Sequence, residues 1–199
     1  MKRPGANAGR SMFSHLTEDY RSHREGLLAQ GFWALTIHRF GYARKRVDWR
    51  IVRLPWAALH IFLSKLSQIF FGIQIGMNTQ IGHRLIIEHF GNIIIHNNAI
   101  IGDDVVIRQG VAIGNRSLER PLDAPRIGNR VNIGAGAKLL GAITIGDDVN
   151  IGANAVVLCD VPSGHIAVGV PAAIRPRRDL GTQPQPQQLR KRVSIRHGR

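Results

Sequence analysis

Nine histidines are the chain's main supply of side chains that titrate near neutral pH. Such an imidazole can act as a general base, taking the proton from a hydroxyl as its oxygen attacks an acyl group. His15, His23, His38 and His60 fall in a stretch patterned as helix and His197 in the C-terminal tail, whereas His83, His89, His96 and His165 lie in or beside a glycine-punctuated repeat. His89 follows Glu88 where the spacing of that repeat slips by two residues, and a register break is a place where a regular coil can turn side chains into a cleft. On residues alone His83, His96 and His165 stay in contention, with surface and turn-capping roles as their alternative. No serine or cysteine stands in a recognisable elbow or dyad, so a covalent intermediate is not expected. The single Cys159 excludes an intramolecular disulfide and a cysteine-built zinc site, and in VVLCDV it reads as a small half-buried residue.

The repeat must position these groups. Aliphatic residues recur every six positions at Ile95, Ile101, Ile107 and Ile113 and again at Ile127, Ile133, Leu139, Ile145, Ile151 and Val157, with a further run, Ile75, Ile81 and Ile87, offset by two. Glycine directly follows eight of these thirteen, and the residue four places on is small or β-branched except at Leu85. A period of six is neither 3.6 nor 2.0, so it describes neither an amphipathic helix nor a hairpin. It predicts a short strand and a turn per repeat, the aliphatic side chain pointing inward and stacked coils burying it. Segment 115–126 (NRSLERPLDAPR) breaks the period and reads as a loop leaving the coil.

Four regions follow: residues 1–13 disordered, 14–71 helical, 72–174 the repeat, and 175–199 a Gln/Pro/Arg tail unable to bury a core. In the helical part Trp33, Ile37 and Phe40 form one apolar stripe and Trp56, Leu59, Leu63, Leu66 and Phe70 another, with Pro55 suited to a first turn. The stretch 55–71 is very apolar, yet it is short and contains His60 and Lys65, which predicts a packed or interfacial helix and a peripheral membrane contact rather than a span. Net charge is +14, from 27 Lys and Arg against 13 Asp and Glu. That suits nucleic acid, anionic lipid or a phosphate-bearing cosubstrate. Much of the excess is terminal and the repeats carry few aromatics, so a nucleic-acid binder or a non-catalytic scaffold is the lesser alternative. With no secretory signal pattern, a cytoplasmic location, including the inner membrane face, is expected.

The run GIQIGMNTQIGHRLIIEHFGNIIIHNNAIIGDDVVIRQGVAIGN, followed by PRIGNRVNIGAGAKLLGAITIGDDVNIGANAVV and HIAVGVPAAI, resembles the hexapeptide-repeat acyltransferases, and within them the serine acetyltransferase branch and its polysaccharide-modifying relatives. The resemblance implies a mainly β fold, a left-handed parallel β-helix preceded by an α-helical segment, and a trimer or hexamer. It implies direct transfer of acetyl from acetyl-CoA, without metal, to an acceptor hydroxyl.

Carried over residue by residue, EHFGN makes His89 the general base and Glu88 an acceptor contact. The backbone at Gly114 would face the thioester, and Ala135 and Ala153 the pantetheine arm. Arg175 and Arg177, just past GVPA, are candidates for the CoA phosphates, with Arg178 beside them. Three departures stand out. Gln74 occupies the place of the carboxylate that orients the histidine; its carbonyl can still accept a hydrogen bond but brings no charge. Asp123-Ala124 replaces an Arg-His pair, leaving Asp123 as the acceptor-facing candidate there, and the N-terminal helical domain is shortened. These departures favour a sugar hydroxyl of an envelope or capsular polysaccharide precursor over L-serine, the alternative acceptor.

Overall fold

In the computed structural model, which describes residues 12–23, 25–47, 49–89 and 91–177, the six-residue period becomes a three-sided, left-handed parallel β-helix. Three helices precede it: α1 (Met12–Ser22), α2 (Gln30–Ala43) and α3 (Arg50–Phe71). The first coil is β1 (Ile73–Ile75), β2 (Gln80–Ile81) and β3 (Ile86–Glu88); the second is β4 (Ile93–Ile95), β5 (Ile100–Ile101) and β6 (Val106–Arg108). Then come β7 (Ala112–Gly114), β8 (Arg126–Ile127) and β9 (Asn132–Ile133), and β10 (Lys138–Leu140), β11 (Thr144–Ile145) and β12 (Asn150–Ile151). β13 (Val156–Val157), β14 (His165–Val168) and β15 (Ala173–Pro176) close the stack. Face A is the sheet β1-β4-β7-β10-β13, face B is β2-β5-β8-β11, and face C runs β3-β6-β9-β12-β14-β15. Every pairing is parallel except the last, β14 with β15. That hairpin carries Arg175 and Pro176 into face C, two residues beyond the expected end of the repeat.

The inward positions are those of the period. Ile95, Ile101, Ile107, Ile113, Ile133, Leu139, Ile145 and Val157 are sealed from solvent, as is Leu85, whose size does not disturb its place in the column. Burying such a side chain is worth about 1.5–3 kcal/mol, so the stack of coils supplies the stability that two- and three-residue strands lack. Coil spacing is also written in glycine: a Cβ on Gly128 would lie 2.4 Å from Asp147 Oδ1 and 2.9 Å from the Asp147 backbone nitrogen. Along the B–C corner a ladder of side chains caps successive turns, with the His83, Asp103 and Asn129 amides donating to Asp103, Asn129 and Asp147 respectively.

A parallel β-helix ends in an unpaired edge that must be covered or satisfied. The helices do this with polar side chains. The His23 ring accepts the Ile87 amide of β3 at its Nε2 while its Nδ1 donates to the Asp19 carbonyl. Ser67 of α3 donates to the Ile73 carbonyl of β1. His38 and Arg39 of α2 donate to the Thr79 and Gly82 carbonyls flanking β2, Arg39 being paired also with buried Asp19.

This use of polar residues overturns the expected stripes. On α2 the buried positions are Gly31, Phe32, Ala34, Leu35, His38 and Gly41, with Trp33 exposed and Ile37 and Phe40 half-buried; on α3 Leu59 and Phe70 are exposed and Trp56, Leu63 and Leu66 half-buried, while His60 and Ser67 are buried. The covered edge needs hydrogen bonds more than it needs hydrophobes. α3 also begins at Arg50, so Pro55 lies inside the helix and not in its first turn. The Ile51 carbonyl thereby loses its helical partner, and both residues are exposed to solvent. Cys159, expected half-buried, is exposed. Most of the segment expected to be disordered and the Gln/Pro/Arg tail lie outside the described residues.

Candidate active site

The two extra residues before β4 form a loop at the C–A corner, where His89 (φ 68°), Gly91 (φ 89°) and Asn92 (φ 56°) adopt left-handed backbone. His89 is exposed there. Of the four histidines in or beside the repeat, the other three are engaged: His83 Nδ1 meets Glu18 at 2.9 Å, His96 Nδ1 accepts the Asn98 amide at 3.2 Å, and His165 Nδ1 donates to the Ser163 carbonyl at 2.8 Å. His89 has no hydrogen bond among the described residues, which leaves its ring available to a ligand.

Backbone hydrogen bonds from the Gly110, Gly136 and Asn154 amides to the Gly91, Gln109 and Ala135 carbonyls align Gly91, Gln109, Ala135 and Ala153 down this corner. Both predicted alanines thus stand on the long edge that begins at His89. Across face A, an open cavity of about 440 Å³ lies against α3, lined among others by Gln74, Gly114, His96, Asn115, Lys65 and Gln68. Gln74 is mid-strand in β1 and exposed; Gly114 ends β7 at the A–B corner, beside His96 on the coil above.

Gly114 is unlike the glycines between coils. Its φ is not positive, and a Cβ would meet nothing nearer than the His96 Cβ at 3.8 Å. Neither conformation nor packing within the chain requires glycine here, and its bare side faces the groove. A ligand whose polar arm lies against main chain would use that space. The groove therefore fits the pantetheine and thioester part of CoA, which Gly114 and Gln74 would border.

The remaining predicted residues are less gathered. Glu88 points along face C into an ion pair with Arg108 (3.0 Å), which in turn donates to Asn132. Asp123 lies in the loop 115–125, 3.8 Å from Arg120; that loop packs on the A–B corner through Asn98, which donates to the Leu122 carbonyl. Arg175 sits opposite Ile166 in β15, and the Arg177 amide bonds Gly164 at the B–C corner. Both arginines are exposed on face C, turned away from face A and the groove. Lys65, Gln68 and His96 were missed as groove residues: the first two come from a helix that nothing in the repeat ties to the site, and His96 reads as a turn residue. Among the described residues no histidine, cysteine, aspartate and glutamate group could hold a metal ion.

Residues 124–159 match the family described as bacterial transferase hexapeptide (six repeats). The chain is 44% identical over 147 residues to a serine acetyltransferase of Helicobacter pylori, covering 73% of this chain and 81% of that one. It is 36% identical over 184 residues to a serine acetyltransferase of Synechococcus elongatus, covering 87% and 72%. Among solved structures, soybean serine acetyltransferase complexed with serine superposes with a TM-score of 0.74 at 31% identity, covering 83% and 70%. Fold, groove and these similarities agree: the chain belongs to the serine acetyltransferase family and is an acetyl-CoA-dependent acetyltransferase.

Proposed function

We propose that the chain is a serine O-acetyltransferase in which His89 is the general base. Bound acetyl-CoA supplies the activated acetyl group as a thioester. His89 takes the serine hydroxyl proton as the oxygen attacks and returns it to the departing sulfur, so that O-acetyl-L-serine and the free CoA thiol leave and the imidazole ends neutral. Gln74 borders the groove as a neutral residue, where it can orient a ring through its carbonyl without stabilising the imidazolium formed during transfer.

The observation that carries the reading is the division of face A: an exposed imidazole with no hydrogen bond among the described residues on one long edge and the open side of Gly114 on the other. Gly114 lies five residue steps beyond Gln109, which is on the His89 corner, up to about 16 Å of strand. A second copy bringing its His89 edge against this groove would unite the two, which supports a homo-oligomer with the site in the seam. Gln74 and Asp123-Ala124 lean towards a sugar acceptor, but the 44% identity across 81% of the Helicobacter pylori protein favours serine.

Release of free thiol from acetyl-CoA, followed with L-serine and with a panel of nucleotide sugars, tests the reading. Turnover with serine supports it; turnover with a sugar and none with serine overturns the acceptor. Sedimentation velocity tests the seam, a monomer at catalytic concentrations being the contrary result.

A further inference from the structure

α3 is apolar on both of its sides, with Trp56, Leu63 and Phe71 half-buried against the protein. Its side against the protein carries His60 and Ser67, 1% and 4% exposed, with Ser64 half-buried beside them. Its outer side carries Ile51, Leu54, Phe62, Ile69 and Phe70, between 59% and 87% exposed, with Trp49 at the helix entrance 76% exposed; Ile61 beside them borders the groove. A soluble monomer rarely shows so many large apolar residues on one element unless something covers them.

The charge pattern says what fits. Asp48 is the one acidic residue from Gly26 to Ile87, whereas Lys45, Arg46, Arg50 and Arg53 stand at the N-terminal end of α3, Arg44 being half-buried beside them, and Lys65 borders the groove. Two copies of α3 laid face to face would bring basic residues together with no acid between them. An anionic lipid surface instead neutralises each of them, contributing about 1 kcal/mol per basic residue held near it. The helix is 22 residues long, about 33 Å. Among the described residues no helix is long and apolar enough to cross a membrane, so α3 would lie in the interface.

We propose that α3 docks the protein on an anionic membrane surface, with Phe62, Ile69 and their apolar neighbours in the acyl boundary and the basic residues from Lys45 to Arg53 among the headgroups. The proposal is independent of the acceptor hydroxyl.

Co-sedimentation of the full chain with vesicles of phosphatidylcholine, and with vesicles in which about a third of the lipid is phosphatidylglycerol, tests it. Wild type should bind the anionic vesicles at least about tenfold tighter than the neutral ones. The double variant Phe62→Asp/Ile69→Asp should lose that binding while its thiol-release activity with soluble substrates stays intact, since neither residue lines the groove. Two results overturn the proposal: binding undiminished in the double variant, which assigns it to the basic tail, or no binding by wild type, in which case a drop in oligomer mass in the variant assigns the face to a second copy.

Discussion

Gly114 and His96 occupy the same place on neighbouring coils, and the Cβ that Gly114 lacks would stand 3.8 Å from that of His96 with no other atom of the described residues, its chain neighbours apart, within 4 Å. Gly128, one repeat position further along the chain, has the opposite surroundings, with Asp147 atoms inside 3 Å of the missing Cβ. One glycine is therefore kept for what enters from outside and the other for what lies beneath.

The contrast yields a paired prediction. Gly114→Val should fold and melt like wild type, because β-branched residues suit a strand end, while losing on the order of tenfold or more in kcat/KM for acetyl-CoA. Gly128→Ala should instead lose roughly 1–3 kcal/mol of stability through overpacking. Thermal melts beside thiol-release kinetics separate the two, and a Gly114→Val enzyme with unchanged kinetics would remove Gly114 from the thioester site.

His89→Ala should lower turnover by on the order of 10² to 10⁴ with little change in stability, since the ring is exposed and makes no hydrogen bond among the described residues. His96→Ala makes the useful comparison. It lines the groove within its own chain and already caps the turn at Asn98, so its effect should fall on KM and not on kcat. An unaltered kcat in His89→Ala would end its role as base.

The repeat was legible because its physics is one-dimensional: each coil buries on each side an aliphatic residue and a second residue four places on, so the period of six gave the inward column from Ile95 to Val157 directly. His89 was legible through the same regularity, as the point where the count fails. The helices were not. Several of their buried or half-buried residues are chosen by the acceptors and donors of the β1, β2 and β3 edges, such as His23, His38, Arg39 and Ser67, while the apolar stripe of α3 splits, with Leu63 and Leu66 half-buried and Leu59 and Phe70 exposed. Nor could a linear pattern say that Arg177 ends at the B–C corner, because β15 turns back antiparallel where every earlier strand runs parallel.

Glu88 gives a third prediction. It is held by Arg108 across β3 and β6 on a half-exposed face, where such a pair contributes about 0–1 kcal/mol. Glu88→Gln should therefore leave the melting temperature nearly unchanged. If the carboxylate also contacts the acceptor, the KM for serine rises while that for acetyl-CoA does not. Equal KM values in variant and wild type would confine Glu88 to its ladder with Arg108 and Asn132.

The buried helix cap makes stability depend on pH. Burial, then the Arg39 and His60 charges, push the His38 pKa down to about 3, against the donation from its Nε2 to the Thr79 carbonyl. His60 is shifted the same way, by burial and by Arg44. An unfolded chain takes up a proton on residue 38 as pH falls through about 6.5, whereas the folded chain holds that ring neutral until near 3. Between those values the unfolded state binds more protons, so stability present above about pH 6.5 is lost as pH falls, by roughly 1.4 kcal/mol per pH unit from His38. His38→Gln keeps an N–H able to reach the Thr79 carbonyl and removes the titration. Urea unfolding at pH 7 and pH 5 should then show a smaller drop for the variant than for wild type, carboxylate contributions being common to both. An identical drop in the two proteins would mean that the buried imidazole does not set the acid sensitivity of the helical cap.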